Sequence, residues 1–138
     1  METFNNNTDK LISKLFNWHV GYEIPFGGKP MALDTLKNAD QVVRCHPFGE
    51  HWRVQLDVTG GVTFEYFVNA DSLTDVRYGR VYITENTYRF SHTTYNIPST
   101  LAELTNKWLP FDLVEVLDII NYLENPKGGT SQQRFLYP

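Results

Sequence analysis

The chain has 138 residues, 14% aromatic, 41% hydrophobic and 20% charged, with a formal net charge of −4 and a pI near 5.5. This composition excludes a disordered chain and suits one domain able to bury its own core. It also weighs against a dedicated nucleic-acid binder, which is usually basic.

A single cysteine, Cys45, excludes an internal disulfide and suits a reducing compartment. No basic-then-apolar leader opens the sequence, and no apolar run approaches the ~20 residues of a membrane span. A cytoplasmic protein without membrane contact is expected.

In chain order, Asn5, Asn6 and Asn7 form a polar lead-in. Thr8 or Asp9 then caps a helix whose stripe is Leu11, Ile12, Leu15 and Phe16, ending near Gly21. The stretch Pro25-Phe26-Gly27-Gly28-Lys29-Pro30 lacks the Gly-x-x-x-x-Gly-Lys-Ser/Thr of a phosphate loop, and no strand precedes it. Met31 to Asn38 reads as a short helix with Leu33 and Leu36 inward.

Gln41 to Val68 has the clearest strand pattern. Trp52, Val54, Leu56 and Val58 alternate with His51, Arg53, Gln55 and Asp57, and Val62, Phe64, Tyr66 and Val68 follow after the glycines. A three-residue loop, Thr59-Gly60-Gly61, puts Val58 opposite Val62 and keeps the apolar residues on one face. Gln41 to His46 is expected to pair with His51 to Leu56, with Cys45 on the apolar side. Arg44 then stands opposite Arg53 and His46 opposite His51. Like charges in register are unfavourable, so that face calls for a compensating acid such as Glu50 or Glu65, or for an anionic partner.

Residues 69–75 read as a polar connection without calcium-loop spacing. Arg80 to His92 forms a second hairpin around Glu85-Asn86, pairing Ile83 with Tyr88, Val81 with Phe90, Tyr82 with Arg89 and Arg80 with Ser91. Thr100 and Glu103 make a capping box for a helix carrying Leu101, Leu104 and Trp108. Asp112 with Glu115 caps a final helix, apolar over most of its surface. Such coverage implies burial on two sides or a homodimer through residues 112–124. Its acids Asp112, Glu115, Asp118 and Glu124 read as a solvated ridge. Residues 127–138 read as a flexible tail with an apolar end, Phe135-Leu136-Tyr137, outside a single domain spanning 1–126.

The expected fold class is therefore α+β: an antiparallel meandering sheet of about five strands with N- and C-terminal helices packed on one face. No catalytic constellation is complete and no cofactor is expected. Cys45 faces away from His46, and His46 with Glu50 and His51 does not match a zinc spacing. The one His-x-Thr unit, His92 to Thr94, has no second copy. The candidate binding set is Arg44, His46, Glu50, His51, Arg53, Phe67, Arg80, Tyr82 and Arg89 on the open sheet face. Arginine beside exposed aromatics is the composition of protein hot spots. The leading expectation is a non-enzymatic interaction module, such as an acidic inhibitor, an immunity-type protein or a chaperone-like protein, with a protein partner. A small enzyme or binding protein for a phosphate-bearing ligand at the His46–His51 loop is the second expectation, and nucleic-acid binding the third.

Overall fold

The structure is a computed structural model and describes residues 6–68, 77–92 and 99–125. The order is α1 (Asn6–Val20), α2 (Leu33–Cys45), β1 (Trp52–Leu56), β2 (Val62–Val68), β3 (Arg77–Ile83), β4 (Thr87–His92), α3 (Ser99–Ala102), β5 (Leu109–Pro110) and α4 (Leu113–Glu124). The five strands form one antiparallel sheet in sequence order, β1-β2-β3-β4-β5. The fold is α+β, as the pattern predicts. The expected connection at 69–75 and tail at 127–138 lie outside the described residues.

Pleating divides the sheet into two unlike faces. Val54, Leu56, Val62, Phe64, Tyr66, Val81, Ile83, Tyr88 and Phe90 are all buried on one of them. There they join Ala39, Val42 and Val43 of α2 and Val116, Ile119, Ile120 and Leu123 of α4 in one core. Helices α2 and α4 pack on each other and on β3, while α1 packs on α2. Each large apolar side chain removed from water contributes about 1.5–3 kcal/mol, so this layer carries most of the stability. Gly79 makes the close approach of α4 possible: a Cβ there would lie 2.6 Å from Leu123 Cδ2.

Helix α2 corrects the expectation for Gln41 to His46, which is helical up to Cys45 rather than a strand. Thr35, Ala39, Val42 and Val43 are its buried residues, and their i, i+4, i+7, i+8 spacing is a helical stripe. Burial of that stripe outweighs the strand preference of the paired valines. The helix stops at His46, whose backbone is extended (φ −146°, ψ 129°), because the residue before a proline disfavours helical geometry. Cys45 is accordingly exposed at a helix end and not on a buried strand face. Helix α1 begins at Asn6, ahead of the expected cap. It ends at Gly21 (φ 102°) with Tyr22 N–H donating to the Asn17 carbonyl at 2.7 Å, the glycine-terminated helix end.

The β1–β2 register is shifted by two residues from the expected one. Leu56 pairs with Val62, Val54 with Phe64 and Trp52 with Tyr66. A shift of two preserves which side chains face the core, so the faces are as expected while the turn is longer. It runs from Asp57 to Gly61, closed by Asp57 N–H to Gly61 O at 2.8 Å and Gly60 N–H to Asp57 O at 2.9 Å. Val58 is left exposed in this turn. The β3–β4 register agrees with the expectation at every pair named. Its tip is supported from outside the hairpin, since Asn38 Nδ2 of α2 donates to the Thr84 and Glu85 carbonyls at 3.0 Å each.

Helix α4 has the expected cap: Asp112 Oδ1 accepts from Glu115 N–H at 3.0 Å. The solvated acidic ridge needs correcting. Asp118 is buried, Glu115 Oε1 accepts from the Tyr88 hydroxyl at 3.0 Å, and Glu124 is turned toward α2 and β1. The helix is apolar over much of its surface because it packs on both α2 and the sheet. Among the described residues, no helix is long and apolar enough to cross a membrane.

Candidate functional site

The sheet face away from α2 and α4 carries the chemistry. Its rows follow from the register. Arg53, Glu65, Arg80 and Ser91 stand side by side across four strands, and Gln55, Thr63, Tyr82 and Arg89 form the next row. Phe67 and Tyr78 face each other one step further along, with ring centroids 6.4 Å apart. Phe67 is 47% exposed. Glu65 stands between Arg53 and Arg80 and accepts a hydrogen bond from the Tyr78 hydroxyl. Burial and that bond to Glu65 both push the Tyr78 phenol up, so it remains a neutral donor.

Toward β5 the face becomes concave. Arg80, Arg89, Tyr82, Trp108 and Asp57, with several Thr and Ser hydroxyls, line a hollow of about 500 Å³. The Trp108 ring contacts Tyr82 edge-on at 5.7 Å, and the Arg89 guanidinium lies over it at 5.2 Å. Arg80 in turn lies 5.9 Å from the Tyr78 ring. At the turn end, Asp57 Oδ2 accepts from Thr59 Oγ1 at 2.7 Å, and the Tyr82 hydroxyl is bonded to Thr59. Tyr82 takes this position by crossing Gly61, where a Cβ would lie 2.5 Å from its hydroxyl oxygen. Among the described residues, neither Arg80 nor Arg89 forms an ion pair with an acid.

Of the sequence-derived set, Arg53, Phe67, Arg80, Tyr82 and Arg89 share this face. Arg44, His46, Glu50 and His51 do not. Arg44 lies on α2 and is paired with Asp40 one helical turn away at 2.8 Å. His46 Nε2 is 2.8 Å from Glu124 Oε1, and Trp52 Nε1 donates to Glu124 Oε2 at 2.6 Å. Burial pushes the Glu124 carboxyl up, but the hydrogen bonds from His46 and Trp52 outweigh it and hold the group below its ordinary value. Phe48 packs edge-on against both His46 and Trp52, at 4.9 and 5.0 Å. This is a clamp joining α2, β1 and α4. His51 and Glu50 are exposed beside it, and no group of three His, Cys, Asp or Glu side chains among the described residues converges as a metal site would require. His92 stacks on Phe90 at 5.4 Å, and burial holds its imidazole below the ordinary range; Thr94 lies outside the described residues.

No family model matches the chain, and neither curated proteins nor solved structures give a match to it.

Trp108 is the residue that sequence reasoning missed. The helix expected to carry it ends at Ala102. The chain then turns through Asn106 (φ 64°), whose N–H donates to the Phe90 carbonyl at 2.7 Å. That turn delivers Trp108 to the rim of the hollow, 54% exposed. The available signal was Asn106, since asparagine tolerates the left-handed region better than most residues.

Proposed function

We propose that this protein is a non-enzymatic interaction module that binds a protein partner through the sheet face turned away from α2 and α4. The observation that carries the reading is the contrast between that face and the core face of the same strands. Arg53, Arg80 and Arg89 stand among Phe67, Tyr82 and Trp108, with no helix laid over them among the described residues. Arginine and large aromatics dominate binding energy at protein interfaces. The cationic character of the patch on a chain of net charge −4 favours an acidic partner surface, which would be steered to this face and away from the rest of the molecule. An exposed cysteine supports a reducing, cytoplasmic setting.

The test is affinity capture from the producing cells with wild type and two variants. Arg53→Ala with Phe67→Ala removes one end of the face, and Arg44→Ala alters the α2 side. A protein retained by wild type and by Arg44→Ala, and weakened roughly tenfold by the Arg53/Phe67 pair when remeasured with the purified partner, supports the reading. Affinity unchanged by the Arg53/Phe67 pair rejects it.

A further inference from the structure

The hollow beside Trp108 has features that a flat protein interface does not need. Its volume of about 500 Å³ falls within the ~300–1,000 Å³ range of small-molecule sites. Arg80 pairs with Ser91, and Tyr82 with Arg89, so Arg80 and Arg89 are diagonal neighbours, about 7–8 Å apart at the backbone and somewhat closer at Cβ. Both side chains line the hollow, the Arg89 guanidinium over Trp108 and the Arg80 guanidinium near Tyr78, and neither forms an ion pair with an acid among the described residues, so both are available to one tetrahedral dianion. Each can donate two parallel N–H bonds to its oxygens. Ser91, directly opposite Arg80 and two residues along β4 from Arg89, lines the same hollow.

The rest of the hollow is not uniformly cationic. Trp108 offers a large, half-exposed ring with the Arg89 guanidinium over it, and a flat heterocycle can stack on its exposed surface. At the far end Asp57 supplies a carboxylate, already oriented by Thr59, that can accept from a hydroxyl or amino group. Phosphate, ring and donor are thus matched by separate walls of one cavity.

We propose that this hollow binds a mononucleotide-sized ligand, with its phosphate between Arg80 and Arg89 and its ring against Trp108. The proposal goes beyond the protein-partner reading and does not depend on it. A partner can cover the Arg53 and Phe67 end of the face whether or not the hollow is filled.

The test is an NMR titration of the full chain with adenosine 5′-monophosphate and uridine 5′-monophosphate. Adenosine, inorganic phosphate and an acetylated Asp-Asp dipeptide serve as separate comparison probes. At least one nucleotide should give saturable shifts centred on the Trp108 indole N–H, and adenosine and phosphate alone should each bind roughly tenfold more weakly. Arg89→Gln and Trp108→Ala should each weaken the nucleotide by a similar factor while the spectrum stays dispersed. No saturable shift with either nucleotide overturns the proposal. Equal binding of inorganic phosphate also overturns it, leaving a simple anion patch. Tighter binding of the acidic dipeptide overturns it too, and assigns the hollow to a carboxylate of the protein partner. None of these results alters the outcome of the Arg53/Phe67 capture experiment, so the two readings fail separately.

Discussion

The two faces of the sheet are made by alternate residues of the same strands, yet they obey different physics. On the core side, Phe64, Val81, Ile83, Tyr88 and Phe90 are fully buried against α2 and α4, and each is fixed by packing. On the other side, Arg53, Arg80 and Arg89 are held by the backbone register and a few contacts with aromatic rings. The fold needs the first set. The second set packs little against the rest of the molecule, which is why the proposed binding role is placed there.

The largest effect expected from breaking that contrast comes from the core side. Phe64→Ala should destabilise the protein by about 3–5 kcal/mol through lost burial and a residual cavity, measured by urea unfolding. Next is the clamp. Glu124→Ala strips partners from a half-buried His46 and from the Trp52 indole and should cost about 2 kcal/mol.

The clamp also sets a pH dependence. Because the folded Glu124 carboxyl lies below its ordinary value, its contribution is present above the ordinary carboxylate range. It is lost as pH falls through the lower, folded value. Unfolding free energies of wild type should therefore decline with acidification more steeply than those of Glu124→Gln, and equal slopes would remove the clamp from the account. Gly79→Ala comes next, at about 1–2 kcal/mol, because fully buried Leu123 has little room to move aside.

The smallest effect is expected on the open face. Arg89→Gln removes a cation–π contact with Trp108 worth about 0.5–1 kcal/mol at an exposed site.

Alternation made the faces legible. From Trp52 to Leu56, from Val62 to Val68 and from Arg80 to His92, the period of two assigns inside and outside correctly even where the β1–β2 register is displaced, because the displacement is itself two residues; only Val58, drawn into the turn, departs from it. Turn chemistry was less legible: the hydrogen bonds from Asp57 to Gly61 select a longer loop than the two glycines suggest. Helix α2 was misread because Val43 and Cys45 alternate acceptably when considered alone. The helical stripe emerges only when Thr35, Ala39 and Val42 are taken with Val43.

The same error placed Arg44 and His46 on the open face. His46 finds Glu124, 78 residues away in sequence, and no local pattern signals such a pair. Trp108 was hidden for a related reason. Its position depends on a turn at Asn106 and on the short pairing of β5 with β4, both fixed by tertiary contacts.

The central claim is that the open face is free of duty to the fold, and one measurement addresses it directly. The triple variant Arg53→Gln, Arg80→Gln and Arg89→Gln should unfold in urea within about 1.5 kcal/mol of wild type, the sum of three ordinary surface substitutions. It should do so with an unchanged denaturant slope. A loss of about 4 kcal/mol or more, the scale of a core truncation, would show that these arginines hold the structure together and would contradict the account.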